Sequence, residues 1–197
     1  MMSESRLLTF VAAMTRLAQA HPGDEDRLID GATPLMKDLV THDDWLPAAM
    51  AASHPQYYQQ HLLYGDPLDR FSLVSFVWGP GQKTPVHDHT VWGIIGMLRG
   101  RECAQRYVRG ADGQLALDGA EATLLPGQLD IVSPTRGDIH VVRNALADEV
   151  SISIHLYGGN IGRIARHVFV PETGAVKDFV SGYSNALSPN LWARPAA

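Results

Sequence analysis

Short runs of apolar and β-branched residues, separated by turn residues, fill the chain from residue 57 to about residue 169. Phe71–Trp78 ends at a Gly-Pro-Gly turn, Gly93–Leu98 is followed by Arg99-Gly100, and Asp112-Gly113 is a hairpin signal. Many short strands at this spacing are typical of a sandwich or barrel, whereas α/β proteins alternate strands with helices. The pattern predicts a mainly β fold.

The chain before this region has helical periodicity. We expect a first helix over the apolar positions from Leu7 to Ala18, ended by His21-Pro22-Gly23. A second helix should run from Asp24 towards Val40, with interruptions near Gly31 and Pro34. Asp43 or Asp44 is a candidate cap for a short third helix.

No linker or internal repeat divides the sequence. We therefore predict a single domain over residues 1–197, with a helical part at 1–56, a β-barrel at 57–170 and a C-terminal surface wrap at 171–197. The net charge of −5, without a basic block, makes nucleic acid and anionic membranes unexpected partners. The single cysteine, Cys103, excludes an intrachain disulfide, and this composition favours a cytoplasmic location.

Histidines provide the first candidate functional site. His87 and His89 flank one residue, so on a strand both rings would project from the same face. His140 lies in a later predicted strand, after Gly137-Asp138. Three neutral imidazoles that converge inside a barrel would bind a metal and leave positions open for substrate. A His-x-His pair alone is also compatible with two surface histidines.

The residues around the histidines follow two known motifs. The first has a glycine, the His-x-His pair and a closing glycine, at Gly81, His87-Asp88-His89 and Gly100. The second is matched at Gly127, Pro134, Gly137, His140 and Asn144, with one extra residue on each side of the proline. The sequence here resembles the cupin superfamily, which implies a small antiparallel jelly-roll barrel with the metal inside.

One position departs from that pattern. Many cupins place a glutamate ligand where this chain has Gly93, so the resemblance implies a neutral site of three histidines. Glu102 is the nearest downstream acid, but it lies beyond Gly100, and we interpret it as a solvated strand residue. A neutral ligand set leaves a divalent metal its full charge, which favours an anionic thiolate as a further ligand.

A second candidate site lies in the segment Ser153-Ile154-His155-Leu156-Tyr157. Its polar and apolar residues alternate, so Ser153, His155 and Tyr157 share one face of a strand. If this face pointed to solvent, the strand would be ordinary half-buried sheet. If it pointed into the barrel, the three side chains would form a hydrogen-bonded chain beside the metal.

Three histidines, a missing glutamate and this serine-histidine-tyrosine strand together resemble the thiol dioxygenases of the cysteine dioxygenase family. Residues 84–93 are similar to the bacterial branch that acts on 3-mercaptopropionate. The resemblance implies Fe(II), catalytic roles for Ser153, His155 and Tyr157, and transfer of both atoms of O2 to a small thiol, giving a sulfinate. The cysteine–tyrosine crosslink of mammalian relatives should be absent, because Gly93 occupies the position of that cysteine.

The family resemblance also implies an arginine that binds the substrate carboxylate. The match falls in residues 163–167 and points to Arg166, whose planar guanidinium can bind both carboxylate oxygens. Arg163 lies three residues away, so on a strand it would face the opposite side. Arg70 is a weaker candidate.

Other functions remain open at this stage. Cysteine and mercaptosuccinate are alternative substrates to 3-mercaptopropionate. Three histidines suit zinc equally well, so a zinc or manganese cupin isomerase or hydrolase is a further alternative, although the motifs provide no carboxylate base for it. A non-catalytic cupin that binds a small effector would not need all three histidines. The sequence predicts no oligomeric state.

Overall fold

The computed structural model describes residues 5–192, and the first helices form a layer against the barrel. Helix α1 spans Arg6–Ala20 and α2 spans Glu25–Val40. The side chain of Ser5 caps α1 by accepting a hydrogen bond from the Leu8 N–H at 3.3 Å. The apolar faces of both helices are buried in the larger of two core clusters. Within residues 5–192, no helix combines the length and hydropathy needed to cross a bilayer.

Two helical predictions are wrong. Helix α2 continues through Gly31 and Pro34 without a break. Gly31 packs so closely on Leu17 that an added Cβ would lie 2.6 Å from a methyl group of that side chain. Burial of the apolar face thus outweighs the local cost of proline, which is about 3 kcal/mol in a helix interior. The third helix is only a 3₁₀ turn, Ala48–Met50, preceded by Pro47 instead of an aspartate cap.

The rest of the chain forms eleven strands within the described residues. They are β1 Gln59–Gly65, β2 Ser72–Trp78, β3 Val86–His87, β4 Gly93–Arg99, β5 Glu102–Arg109, β6 Leu115–Leu124, β7 Leu129–Val132, β8 Ile139–Asn144, β9 Ser151–Tyr157, β10 Arg166–Val170 and β11 Ala175–Phe179. One antiparallel sheet has the order β1-β2-β9-β4-β7, and the other has the order β11-β10-β3-β8-β5-β6. The mainly β, jelly-roll fold expected from the sequence is confirmed.

The barrel extends further along the chain than predicted. Strand β11 lies beyond residue 170 and pairs with β10 at the edge of the six-stranded sheet. The segment after it crosses β1, where Asn185 accepts a hydrogen bond from the Leu62 N–H at 2.7 Å. The predicted wrap is therefore partly a strand, and its last five residues, like the first four of the chain, lie outside the described residues.

Candidate metal centre

His87, His89 and His140 lie together in the barrel interior. The possible ligand atoms of these three residues lie within 4.8 Å of one another, and all three side chains are buried. His87 on β3 and His140 on β8 are register partners, which places their side chains on the same face of the six-stranded sheet. The cluster has the ligand number and the chemistry of a metal site.

The predicted strand does not include His89. Strand β3 ends at His87, and His89 follows it in a loop. The carboxylate of Asp138 holds this loop, because it accepts hydrogen bonds from the backbone N–H groups of His89 and Thr90 at 3.0 and 2.9 Å. Thr90 has a positive φ of 58°, so the chain turns sharply here. A capped turn, and not strand alternation, brings His89 to the cluster.

Hydrogen bonds at Nδ1 orient two of the three rings. The Nδ1 of His87 lies 3.1 Å from the carbonyl oxygen of Pro85, and the Nδ1 of His89 lies 2.8 Å from Asp138. Each of these imidazoles therefore has its Nε2 free to bind a metal. The Nδ1 of His140 is buried without a hydrogen-bond partner in the part of the chain that the structure describes.

The surroundings lower the pKa of two of the three histidines. Burial, together with the nearby His89, lowers the pKa of His87 to about 3. Burial also lowers the pKa of His140 well below its ordinary value, with further contributions from His87 and His89. Because metal ligands must be deprotonated imidazoles, these residues fit a divalent cation over the physiological pH range.

The polar residues of β9 face the barrel interior and form a continuous chain. Ser153 Oγ lies 2.8 Å from His155 Nε2, and His155 Nδ1 lies 2.8 Å from the hydroxyl oxygen of Tyr157. All three side chains are buried, and the Tyr157 ring stacks beside His89 with 5.4 Å between ring centroids. Trp78 donates its indole N–H to Ser153 Oγ at 3.1 Å, a contact that the sequence pattern did not predict.

Gly93 lies directly against this chain. It is the register partner of Tyr157 on the neighbouring strand, and an added Cβ would lie 2.9 Å from the tyrosine ring. A glutamate or cysteine side chain at this position would collide with the phenol in its present place. Cys103 lies elsewhere, with its sulfur 3.4 Å from the Thr123 hydroxyl on β6.

Arg166 is the arginine that enters the barrel. It is buried, and its guanidinium lies over the Phe179 ring at 4.6 Å and donates to the hydroxyl of Ser181 at 2.6 Å. Its Nε has no hydrogen-bond partner among the described residues. The positive charge of the guanidinium also contributes to the low pKa of His87, so Arg166 influences the electrostatics of the histidine cluster.

The other arginine candidates are engaged elsewhere. Arg163 is 76% exposed and lies 3.5 Å from Asp69 at the surface. Arg70 binds both carboxylate oxygens of Asp66 at 2.8 Å. A cavity of about 350 Å³ opens next to Arg166 and is lined by Tyr58, Gln60, Phe179, Ser181, Tyr183 and neighbouring residues.

The interpretation of Glu102 as a solvated residue is wrong. Glu102 is 2% exposed, and one of its carboxyl oxygens has no hydrogen-bond partner among residues 5–192. It pairs with Asn144 on β8, which places its side chain on the same interior face as His140. Strand β4 ends at Arg99, and β5 begins on the opposite sheet with its first residue, Glu102, directed inward. Sequence spacing alone does not reveal this.

Sequence reasoning missed Asp138 as well as Glu102. Asp138 is directly bonded to the His89 ring, and these hydrogen bonds lower its pKa although burial acts in the opposite direction. Its position two residues before His140, directly after Gly137, was the available signal. Asp88, between the two ligand histidines, binds His167 at 2.7 Å and does not reach the cluster.

No family model matches the chain. Solved structures with similar folds include a protein from Thermus thermophilus, with 19% identity and a TM-score of 0.45 over 57% of this chain and 92% of that one. A cupin superfamily protein from Desulfitobacterium hafniense has 13% identity and a TM-score of 0.45, over 60% and 94% of the two chains. An oxalate oxidase has 16% identity and a TM-score of 0.37, over 46% and 42%.

The chain has the cupin fold. Its two antiparallel sheets form a jelly roll, and a cluster of three histidines that could hold a metal ion lies in the interior between them. The similarity to solved structures concerns the fold and does not identify a reaction.

Proposed function

We propose that this protein is a non-haem Fe(II) thiol dioxygenase that converts a small carboxylate thiol, preferably 3-mercaptopropionate, and O2 to the sulfinate. The observation that supports this most directly is the buried Ser153–His155–Tyr157 chain, with 2.8 Å at each step, beside three histidines that have no carboxylate as a further ligand among residues 5–192. When bound, Fe(II) supplies open coordination positions for a thiolate and for dioxygen.

Arg166 binds the substrate carboxylate in this proposal. Its guanidinium is buried, close enough to His87 to influence that residue's pKa, and has an unpartnered Nε among the described residues. A buried guanidinium without a carboxylate partner is well suited to bind a carboxylate that arrives with a ligand. The binding fixes one end of the substrate and directs the other end to the cluster.

Tyr157 acts at the opposite end of the substrate. Burial raises the pKa of its hydroxyl far above the ordinary value of 10.0, so the phenol keeps its proton. His155 and Ser153 hold the hydroxyl in place, and the phenol can form a hydrogen bond with the reacting thiol or oxygen, as donor or as acceptor. The side chains around this chain, including Phe76 stacked on His155 at 4.1 Å, exclude water from it.

The carboxylates near the site favour a substrate without an amine. Asp138 is bonded to His89, Asp88 is bonded to His167, and Glu102 lies opposite Asn144, four residues along β8 from His140. None of these three is available to pair with the ammonium of cysteine, and an unpaired buried charge is costly. We therefore expect turnover of 3-mercaptopropionate to be at least roughly tenfold more efficient than that of cysteine, the equivalent of about 1.4 kcal/mol.

The test is metal analysis of the purified chain, followed by oxygen uptake with 3-mercaptopropionate, cysteine and mercaptosuccinate after loading with Fe(II). Mass spectrometry with labelled O2 should find two labelled atoms in the sulfinate. Tyr157→Phe is the matched variant, because it removes only the hydroxyl. A protein that binds zinc firmly and consumes no oxygen with any of the thiols would overturn the proposal and favour a zinc isomerase or hydrolase.

A further inference from the structure

Asp88 lies between two of the candidate metal ligands, His87 and His89, but its carboxylate is bonded to a residue on another strand. One carboxylate oxygen accepts the backbone N–H of His167 at 2.7 Å, and the other lies 2.7 Å from the Nδ1 of the same residue. The Asp88 side chain is 13% exposed and that of His167 is 41% exposed, so the contact is close to the surface. The proposed function gives this pair of residues no role.

The pair extends the ladder between β3 and β10 by one position. In the register of these two strands, the residues that follow His87 bring Asp88 opposite His167. The backbone N–H of Asp88 donates to the carbonyl oxygen of His167 at 3.2 Å, as in an ordinary ladder. The N–H of His167 donates to the side chain of Asp88. The carboxylate thus takes the place of a backbone carbonyl at the point where the chain turns away towards His89.

Arg166 directly precedes His167, so this contact lies between the arginine and the metal ligands. The same register, continued by one residue, would place Arg166 opposite His89. Positions 87 and 89 carry candidate ligands, and position 166 carries the buried guanidinium. The bonds between Asp88 and His167 therefore join the two ends of the proposed substrate site at its backbone.

The other bonds near Arg166 hold different parts of it. The Thr90 hydroxyl donates to the carbonyl oxygen of Ala165 at 3.4 Å, which is long for a hydrogen bond. The guanidinium donates to Ser181 at 2.6 Å, and Ser181 also accepts a hydrogen bond from β1 at 2.8 Å. Ser181 thus holds the tip of the arginine from the five-stranded sheet, whereas Asp88 fixes the backbone next to it.

The distance between the histidine cluster and Arg166 decides which ligand can reach both. In the proposed function, a thiolate binds at the cluster and a carboxylate binds Arg166, so the substrate must span the two. If both ends are fixed, only one number of carbon atoms fits. One methylene more or less in an enzyme pocket is worth roughly 10–200-fold, and a misplacement of about 1 Å can cost about 100-fold.

We propose that Asp88 is a positioning residue that fixes Arg166 relative to the metal cluster and thereby selects a three-carbon carboxylate thiol over its shorter and longer homologues. The selection of chain length rests on the proposed function. The position of Arg166 is a property of the metal-loaded protein and is measurable without any thiol. A failure of this proposal is therefore distinguishable from a failure of the proposed function.

The variants separate the bonds of Asp88 from its charge. Asp88→Ala removes both side-chain bonds to His167. Asp88→Asn keeps an acceptor oxygen for the backbone N–H, and its amide can donate to the Nδ1 of a neutral imidazole. Asp38→Ala is the matched control, because it removes a carboxylate that lies 3.7 Å from His42 on the surface of α2.

The first measurement locates Arg166 in the full-length protein without thiol. The NMR signal of its Nε–H is compared between the Co(II)-loaded and zinc-loaded forms, since the difference depends on the position of the group relative to the metal. Arg166→Lys identifies the signal. We expect the same difference in wild type, Asp88→Asn and Asp38→Ala, and a changed or divided signal in Asp88→Ala. His167→Ala removes one of the two bonds and decides the question if Asp88→Ala does not fold.

The second measurement is the binding of mercaptoacetate, 3-mercaptopropionate and 4-mercaptobutyrate to the Co(II)-loaded protein without oxygen, followed by the thiolate-to-cobalt absorption band. In the wild type, 3-mercaptopropionate should bind at least about tenfold more tightly than either homologue. Asp88→Ala should retain cobalt but lose most of this preference, to less than about threefold. Asp88→Asn should restore the preference.

The positioning role would be overturned by an Arg166 signal that is the same in Asp88→Ala, or in His167→Ala, as in the wild type. An equal change in Asp38→Ala would overturn it as well. Equal affinity of the wild type for the three thiols, or an unchanged preference in Asp88→Ala, would overturn the selection of chain length. If the wild type bound none of the thiols, the proposed function and the selection would both fall, and the Arg166 signal would still decide the positioning role.

Discussion

The interior polar groups of the two sheets differ in whether they have hydrogen-bond partners. On the five-stranded sheet, Ser153, His155 and Tyr157 satisfy one another at 2.8 Å. On the six-stranded sheet, buried polar atoms of His140, Glu102 and Arg166 have no partner among residues 5–192. Buried polar groups are normally paired, so the second set is unusual.

This difference indicates that the two sheets have different roles. The five-stranded sheet holds a chain that the protein completes by itself, and the chain orients the phenol. The six-stranded sheet presents groups that are suited to partners from outside the fold: a metal for the histidines, a carboxylate for the arginine and a proton for the glutamate. Substitutions on this sheet should therefore change binding, and the predictions below test that difference.

The largest effect is expected at the metal cluster. His140→Ala leaves two imidazoles, and two ligands in an open site do not hold Fe(II) firmly. Iron content and oxygen uptake should both fall to background, as they should in His87→Ala and His89→Ala. His61→Ala, which changes a buried histidine of the other sheet, is the control and should retain iron. Full iron content in His140→Ala would refute the three-histidine site.

The next effect is expected at Arg166. Arg166→Ala removes the bidentate partner of the substrate carboxylate, a loss of roughly 2–5 kcal/mol for a buried pair. The Michaelis constant for 3-mercaptopropionate should rise far more than in Arg163→Ala, because Arg163 is exposed. Steady-state oxygen uptake with both variants measures this. Equal Michaelis constants in wild type and Arg166→Ala would show that another group binds the carboxylate.

Glu102 should make the stability of the wild type depend on pH. Burial raises its pKa from 4.5 to about 7, so the folded state binds the proton more tightly than the unfolded chain. The stabilisation is present in acid and is lost as the pH rises through about 7, a change of about 3 kcal/mol. Glu102→Gln should lack this loss.

Denaturant unfolding of both proteins at pH 4.5 and pH 8 measures the effect. The free energy of unfolding of Glu102→Gln, relative to that of the wild type, should be higher at pH 8 than at pH 4.5. Glu172→Gln provides the control at an exposed position. If the free energies of unfolding of Glu102→Gln and wild type differed by the same amount at both pH values, Glu102 would have the same pKa in the folded and unfolded states.

The smallest effect is expected at Asp138. Asp138→Asn keeps an acceptor for the His89 Nδ1–H but removes the charge, and such changes next to a ligand cost about 10–100-fold in metal affinity. Competition with a chelator should measure the loss. Asp88→Asn is the matched control, because its carboxylate binds His167 and not a ligand. Equal losses in the two variants would argue against a specific role for Asp138.

The sequence by itself determined the β class, the first helix and which residues of β9 share a face. Period-two alternation decides which residues share a face of a strand, and glycine and proline mark the turns between strands. It also provided His87, His89 and His140 as candidates, because the ligand types and the motif spacing are local properties of the chain.

The tertiary structure alone decided the continuity of α2, the depth of Glu102 and the partnership of Asp138 with His89. Packing on the core overrides the local signals of Gly31 and Pro34. Glu102 points inward because its strand pairs with β8 in one particular register, and Asp138 meets His89 across 49 residues of sequence. Register and long-range contacts come from the pairing of whole strands, and this information is not contained in any short segment.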